Sequence, residues 1–145
     1  MSNKFPLSQK YIDFINTTNV SAEFLEGTTA SGKTTVGAGV KFMRMVSQSK
    51  KKIHAIAAKT TGKAEETIIQ QDNGILDLHR NAVYCGNGDK DYKLPHIKFE
   101  DKIIYILGYS SRDKWEMVLG AQFGCVYIDE INTADIEFIR EMSTR

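Results

Sequence analysis

The segment EGTTASGKTT, residues 26–35, combines glycines, hydroxyl side chains and one lysine at a spacing suited to binding phosphates. Gly27, four further residues and then Gly32-Lys33-Thr34 fit the pattern G-x-x-x-x-G-K-[ST]. In such a loop, backbone N–H groups converge on phosphate oxygens, the lysine neutralises the outer phosphates and the hydroxyl ligates Mg²⁺. Ordinary surface turns also use Gly, Ser and Thr, so the flanking sequence must decide between the two interpretations.

The flanking sequence supplies the two anchors that a phosphate-binding loop needs. Phe24 and Leu25 lie in a short apolar run that predicts a strand before the loop. After the loop, Val36, Val40, Met43 and Val46 recur at helical spacing. We therefore predict that the loop binds ATP, that Lys33 also acts in catalysis and that Thr34 is a Mg²⁺ ligand. The residues predicted to line the nucleotide in this segment are Gly27, Thr28, Thr29, Ala30, Ser31, Gly32, Lys33, Thr34 and Thr35.

A second chemical signal is CVYIDE, residues 125–130, an apolar run that ends in two adjacent carboxylates. A strand buried on both faces has this continuous apolar character, and its carboxyl end lies at the edge of the sheet where ligands bind. Asp129 is predicted to hold Mg²⁺, and Glu130 to polarise the attacking water in catalysis. The alternative is a solvated acidic strand end with no chemistry.

The intervening sequence alternates between predicted helices and strands. SQKYIDFIN predicts a first helix, KIHAIAA a strand, residues 62–81 a helix interrupted at Asn73-Gly74, and residues 96–110 a hairpin that turns at Glu100-Asp101. Short helices follow around Trp115 and in FIREMSTR. This order predicts one α/β domain over residues 1–145 with a mostly parallel sheet.

Composition places the 145-residue chain among soluble intracellular domains, with 41% hydrophobic and 26% charged residues and a net charge of +1. No apolar stretch approaches membrane-spanning length, and the first residues lack the apolar centre of a signal peptide. Cys85, expected in a loop, and Cys125 suggest neither a disulfide framework nor a metal knuckle. The histidines, His54, His79 and His96, share no short metal-ligand spacing and are expected to be structural or surface residues.

Four segments together resemble the ATPase domain of the large terminase subunit, the motor that packages DNA into the heads of tailed bacteriophages. They are FPLSQKYIDF, GTTASGKTT, VLGAQFG and CVYIDEINTAD. The resemblance implies a P-loop NTPase fold of the ASCE type, a three-layer sandwich with a mostly parallel sheet that is incomplete at its C-terminal edge. The resemblance further implies an Mg²⁺-dependent ATPase that powers translocation of double-stranded DNA into the procapsid in the cytoplasm of the infected bacterium. It also implies the portal protein and the small terminase subunit as partners, and a homo-oligomeric ring in the full-length protein.

The resemblance also assigns roles to single residues. Gln9 resembles the glutamine that contacts adenine, although an exposed helical glutamine without function explains it too. Thr34, Asp129 and Glu130 keep the metal and catalytic roles given above. Many terminases have an arginine that acts on a neighbouring subunit's ATP where this chain has Leu119. Arg112 is a candidate substitute as the catalytic, phosphate-sensing cation, and solvent exposure without function is the alternative.

The family continues beyond the equivalent of residue 145 with a coupling motif and a nuclease domain, so we expect a fragment with slow hydrolysis and no nuclease activity. Three other functions stay open. A P-loop phosphotransferase would need a lid bearing several arginines, whereas adjacent Asp129 and Glu130 favour water as the acceptor. The others are a helicase-like nucleic-acid motor and a nucleotide-gated binding module without useful turnover.

Overall fold

A computed structural model describes residues 9–16, 34–118 and 120–144. The elements in chain order are α1 (Gln9–Asn16), a π-helical segment (Thr35–Phe42) that continues into α2 (Met43–Gln48), β1 (Ile53–Ala58), α3 (Thr61–Ala64) that continues into a second π-helical segment (Glu65–Ile69), α4 (Ile75–Leu78), β2 (Val83–Cys85), β3 (His96–Phe99), β4 (Lys102–Gly108), α5 (Arg112–Glu116), β5 (Val126–Ile128), a 3₁₀ turn (Ile131–Thr133) and α6 (Ile136–Thr144).

The five strands of the described residues form one open sheet in the order β2-β3-β4-β1-β5. Strand β1 is central and pairs in parallel with both β4 and β5, so that Ile56 lies beside Ile106 on one side and Tyr127 on the other. Strand β3 runs antiparallel to β4 and to β2. Four strands therefore point the same way and β3 points the opposite way, which confirms the predicted mixed α/β class with a mostly parallel sheet.

Each face of the sheet carries its own hydrophobic cluster because successive strand residues point to opposite faces. Ile56 and Ala58 of β1 belong to one cluster, which also contains buried residues of both π-helical segments, α2 and α4. Ala55 and Ala57 belong to the other cluster, which includes Trp115 of α5. Residues Phe138 and Met142 of α6 complete that second cluster. Helices thus cover both faces, and the strands between them read as continuous apolar runs.

Two predicted turns lie where the sequence placed them. The hairpin between β3 and β4 turns at Glu100, whose φ of 55° lies in the left-handed region. The helix predicted over residues 62–81 is interrupted between Ile69 and Ile75, and the interruption contains Asn73, with φ of 60°, and Gly74. The Asn73 N–H donates to the Asp77 carboxylate at 2.9 Å, which satisfies a backbone donor at the break. Local turn chemistry was therefore sufficient to predict both positions.

The structure differs from the sequence prediction at β2 and in the first long helix. Cys85 lies in strand β2 and not in a loop, because a three-residue strand with an exposed Val83 carries no readable alternation and forms only by pairing with β3. The helix that follows the phosphate-loop segment starts as a π-helix at Thr35. Of the four residues predicted at helical spacing, Val36, Met43 and Val46 are buried and Val40 is half-buried. The predicted strand containing Phe24 and Leu25 lies outside the described residues.

None of the helices in the described part of the chain is long and apolar enough to cross a membrane.

Candidate nucleotide and magnesium site

The carboxyl ends of β1, β4 and β5 meet at one edge of the sheet because these three strands are parallel. Backbone hydrogen bonds continue past the strands there: the Asp129 N–H donates to Ala57 O at 2.8 Å and the Tyr109 N–H to Ala58 O at 2.9 Å. Asp129 and Tyr109 are therefore fixed at the edge where open α/β sheets bind ligands.

Tyr127 of β5 is influenced by both predicted metal ligands. Its phenol hydrogen-bonds with the Thr34 side chain, and its ring packs edge-on against Phe42, with the ring centroids 6.1 Å apart. Burial, and secondly the negative charge of Asp129, raise the pKa of Tyr127 to about 12, while the hydrogen bond from Thr34 opposes the rise. Thr34, just before the π-helical segment, and Asp129, after β5, therefore both act on this phenol, Asp129 through its charge and Thr34 through a hydrogen bond.

The donor atoms at this place suit a hard divalent cation. Mg²⁺ is bound in proteins by oxygen ligands, typically one or two carboxylates together with substrate phosphates. Asp129 offers a carboxylate, and a Thr34 hydroxyl that donates its proton to Tyr127 still has lone pairs for a cation. Thr34 and Asp129 are therefore the residues of the described chain that would hold Mg²⁺.

Glu130 carries its carboxylate on a left-handed backbone, with φ of 51° and ψ of 52°. This conformation costs a residue with a Cβ about 1–2 kcal/mol, so neighbouring contacts must impose it. The Thr133 N–H and hydroxyl both donate to Glu130 O at 2.9 Å. The Tyr109 hydroxyl lies 2.6 Å from Thr133 Oγ1 and 3.3 Å from Glu130 O. Tyr109 and Thr133 therefore hold the turn that carries Glu130.

His54 lies near the amino-terminal end of β1, at the other end of the strands from Asp129, and there it positions β5 against β1. It is fully buried, its Nδ1 accepts a hydrogen bond from the Cys125 N–H at 2.9 Å, and its Nε2 donates to Lys51 O at 2.9 Å. Burial, opposed by the Lys51 hydrogen bond and helped by the charge of Lys102, lowers the pKa of His54. A neutral imidazole with both nitrogens satisfied thus aligns the strand that ends at Asp129, and this agrees with the structural role expected for His54.

Arg112 begins α5 and is engaged by two carboxylates. Its Nε donates to Glu116 at 2.6 Å and its Nη1 donates to Glu137 of α6. The guanidinium also lies over the Trp115 ring, 5.6 Å from the centroid. Because more than half of the side chain is exposed, these ion pairs compete with water. A role for Arg112 at a phosphate stays a prediction, and it would require the side chain to leave Glu116 and Glu137.

The remaining predicted site residues are not brought to the strand ends by the described contacts. Gln9 is exposed in α1, where its amide donates to Asp13 at 2.8 Å, and its adenine contact stays a prediction. Thr35 is half-buried at the start of the π-helical segment. Leu119 and the loop residues Gly27, Thr28, Thr29, Ala30, Ser31, Gly32 and Lys33 lie outside the described residues.

Sequence reasoning missed three side chains at this edge: Tyr127, Tyr109 and Thr133. Tyr127 reads in sequence as one more apolar residue of a strand, and its interaction with Thr34 depends on how the π-helical segment Thr35–Phe42 packs on β5. The usable signal for Tyr109 was its place just after β4, a strand end in a parallel sheet. Nothing in the sequence around Thr133 marks its bond to Tyr109.

The fold is similar to that of the large terminase from a thermophilic bacteriophage, with a TM-score of 0.67. The alignment covers 97% of this chain and 36% of the terminase, at 17% sequence identity. No family model and no curated protein matches the sequence. The resemblance predicted from the four segments is thus confirmed in the three-dimensional structure, at an identity that shows a shared fold.

Proposed function

We propose that this chain is an ATP-binding and ATP-hydrolysing domain of P-loop type that acts in a viral DNA-packaging motor, powering translocation of double-stranded DNA into the procapsid. The observation that carries the proposal is that Phe42 of the π-helical segment packs on Tyr127 of β5, which sets the start of that segment, just after Thr34, beside the strand that leads to Asp129. Thr34 and Asp129 belong to the two sequence motifs that bind phosphate and Mg²⁺ in P-loop proteins. The terminase-like fold supports the same assignment.

Each residue has a defined task in this proposal. The backbone of residues 27–32 and the Lys33 ammonium bind the phosphates of ATP. Mg²⁺, held by Thr34 and Asp129, neutralises charge on the phosphate oxygens when bound. Glu130 orients a water molecule and accepts a proton from it at the carboxylate, and the Tyr109–Thr133 pair keeps Glu130 in position. Double-stranded DNA, the portal protein, the small terminase subunit and further copies of the chain in a ring are the proposed partners.

Two substitutions separate binding from hydrolysis. Lys33→Ala should abolish binding of Mg-ATP, measured by calorimetry or a fluorescent nucleotide, because it removes the charge that faces the outer phosphates. Glu130→Gln should bind Mg-ATP with unchanged affinity and release phosphate about 10²–10⁴-fold more slowly, since only the proton acceptor is lost. Phosphate release should be measured at low salt with and without double-stranded DNA, which reports whether hydrolysis is coupled to DNA.

The matched control is Lys50→Ala. Lys50 is exposed and precedes β1, at the other end of the strands from Asp129. Its loss should therefore change neither the affinity for Mg-ATP nor the rate of phosphate release. Equal ATP binding by Lys33→Ala and the parent chain would refute the phosphate-loop assignment. Undiminished hydrolysis by Glu130→Gln would place the proton acceptor elsewhere, and phosphate transfer to a small acceptor in place of water would identify a phosphotransferase.

A further inference from the structure

A second cluster of ligand-type side chains lies at the sheet edge farthest from β5. Cys85 of β2 and His96 of β3 are direct cross-strand partners, and Asp89 lies in the loop that joins these strands. One ligand atom of each residue, the sulfur, a carboxylate oxygen and a ring nitrogen, lies within 4.8 Å of the other two. The cluster is separate from Thr34 and Asp129, so its chemistry is independent of the proposed ATPase function.

His96 has a ring nitrogen without a hydrogen-bond partner in a fully buried position. Its Nδ1 lies 2.8 Å from Leu94 O, and a carbonyl only accepts, so Nδ1 carries the proton. In the neutral ring Nε2 is then a lone-pair acceptor, and it faces Asp89 Oδ2 at 3.3 Å. Two acceptors that face each other away from water call for a positively charged species between them.

Asp89 is oriented toward this position by its loop. Its Oδ1 accepts hydrogen bonds from the backbone N–H groups of Asp91 and Tyr92, which directs Oδ2 toward His96. The Lys98 ammonium forms an ion pair with Asp89, with its Nζ 2.6 Å from Oδ2. Asp89 is therefore a carboxylate at neutral pH. Lys98 supplies part of the opposing charge, while His96 Nε2 is left unsatisfied.

We propose that Cys85, Asp89 and His96 bind a Zn²⁺ ion. Thiolate, imidazole and carboxylate are the ligands that Zn²⁺ takes in proteins, and three protein ligands leave a fourth tetrahedral position for water. Zinc–ligand bonds of about 2.0–2.3 Å place the ligand atoms roughly 3.3–3.8 Å apart. His96 Nε2 and Asp89 Oδ2 are already 3.3 Å apart, so the Cys85 sulfur, which lies within 4.8 Å of both, is the atom that must approach, by at most about 1 Å. On binding, the Cys85 thiol loses its proton to solvent and the Lys98 ammonium leaves Asp89 Oδ2.

The ion would clamp the loop of residues 86–95 onto the β2–β3 pair. Its three ligands come from β2, from β3 and from the loop between them, so the bound ion would hold the loop closed. The short β2 strand would then detach less easily from β3. Gly88, with φ of 73°, shows how specific the loop conformation is, because a Cβ there would lie 2.0 Å from Lys93 O. The proposed effect of the metal is therefore to stabilise this loop and the β2–β3 pair at the edge of the sheet.

The test uses the 145-residue chain after treatment with a chelator. Co²⁺ titration should give one bound ion per chain with a thiolate-to-metal charge-transfer band, and Zn²⁺ should displace it. Zn²⁺ should also raise the melting temperature, since a ligand that binds only the folded state stabilises it. Cys85→Ser should abolish the charge-transfer band and the temperature shift, and Asp89→Asn should weaken Zn²⁺ binding at least about 10-fold. Lys98→Met should strengthen Zn²⁺ binding because it removes the competing ammonium.

The matched control is Cys125→Ser, which removes the other cysteine, half-buried before β5, and should leave the Co²⁺ band unchanged. A band that disappears in Cys125→Ser and persists in Cys85→Ser would overturn the proposal. So would the absence of both a band and a Zn²⁺-induced temperature shift in the parent chain. That last result would mean that His96 carries a second proton on Nε2, and that this proton bridges His96 and Asp89 in place of a metal ion.

Discussion

Glu130 combines a proposed catalytic carboxylate with an unfavourable backbone conformation. Its φ of 51° is imposed by Thr133, which donates twice to Glu130 O, and by Tyr109, which bonds to Thr133. Strained backbone of this kind persists where the surroundings over-determine it, and it is common at functional sites. The side chain at this position is therefore kept at a cost to stability.

Glu130→Gly should stabilise the fold and abolish hydrolysis. Glycine adopts the left-handed region without a Cβ penalty, so we expect the free energy of unfolding in urea to rise by about 1 kcal/mol. Glu130→Gln keeps the Cβ and should leave the stability close to that of the parent. Glu66→Gly, at an exposed position in the second π-helical segment, should lower the stability by about 1 kcal/mol. If Glu130→Gly and Glu66→Gly lowered the free energy of unfolding equally, the backbone at Glu130 would not be strained.

Strand β5 is placed by the residues that precede it. The Gly124 N–H donates to Ile53 O at 2.9 Å and the Cys125 N–H to His54, so the chain enters β5 in direct contact with β1. A Cβ at Gly124 would lie 2.5 Å from His54 Cε1 and 2.8 Å from Ser49 Oγ. The position of Asp129, at the other end of this strand, thus depends on a close approach that glycine permits.

Gly124→Ala should therefore destabilise the protein by about 1–3 kcal/mol, the usual cost of overpacking, because the added Cβ would press on the buried His54 side chain. The measurement is urea unfolding, and the proposed Mg-ATP affinity should fall in parallel because β5 shifts. Gly120→Ala is the control, since nothing lies within 4 Å of a Cβ built at that position. A stability of Gly124→Ala equal to that of Gly120→Ala would contradict the close approach.

Global stability should depend on pH through the buried His54. Its pKa is lowered in the folded protein, first by burial, so the unfolded chain binds the proton more readily below its ordinary pKa of 6.5. The contribution of neutral His54 to the free energy of unfolding is complete above pH 6.5, and it is lost as the pH falls through the pKa of His54 in the folded protein. His54 alone changes the free energy of unfolding by at most about 1.4 kcal/mol per pH unit.

We expect the free energy of unfolding in urea to decrease between about pH 7 and pH 5. His54→Gln removes the titrating group, so its stability should lie below that of the parent at neutral pH and approach it as the pH falls. The parent measurement alone tests the sign if the variant does not fold. Constant or rising stability of the parent over this acidification, or a constant difference between the two proteins, would show that His54 is not buried in its neutral form.

The amino-acid sequence alone was sufficient to predict the mixed α/β class, the β3–β4 hairpin, the break at Asn73-Gly74 and the strand that ends at Asp129. These features depend on apolar periodicity and turn residues within one segment, which the linear order displays directly. The similarity to a terminase fold was predicted from four short segments, whose residue types and order are likewise visible in the linear sequence. The roles assigned to residues 27–33 were also predicted from the sequence, and they stay predictions.

Only the tertiary structure decided which distant side chains touch. Strand β2 exists through its pairing with β3, and that register places Cys85 opposite His96, two residues whose spacing in sequence suggested no metal site. In the same way, the contact of Tyr127 with Thr34 follows from packing a helix on β5, and the bond of Tyr109 to Thr133 follows from the parallel neighbours of β1. Such contacts depend on strand order and register, which are set by the burial of the whole core and not by any local pattern.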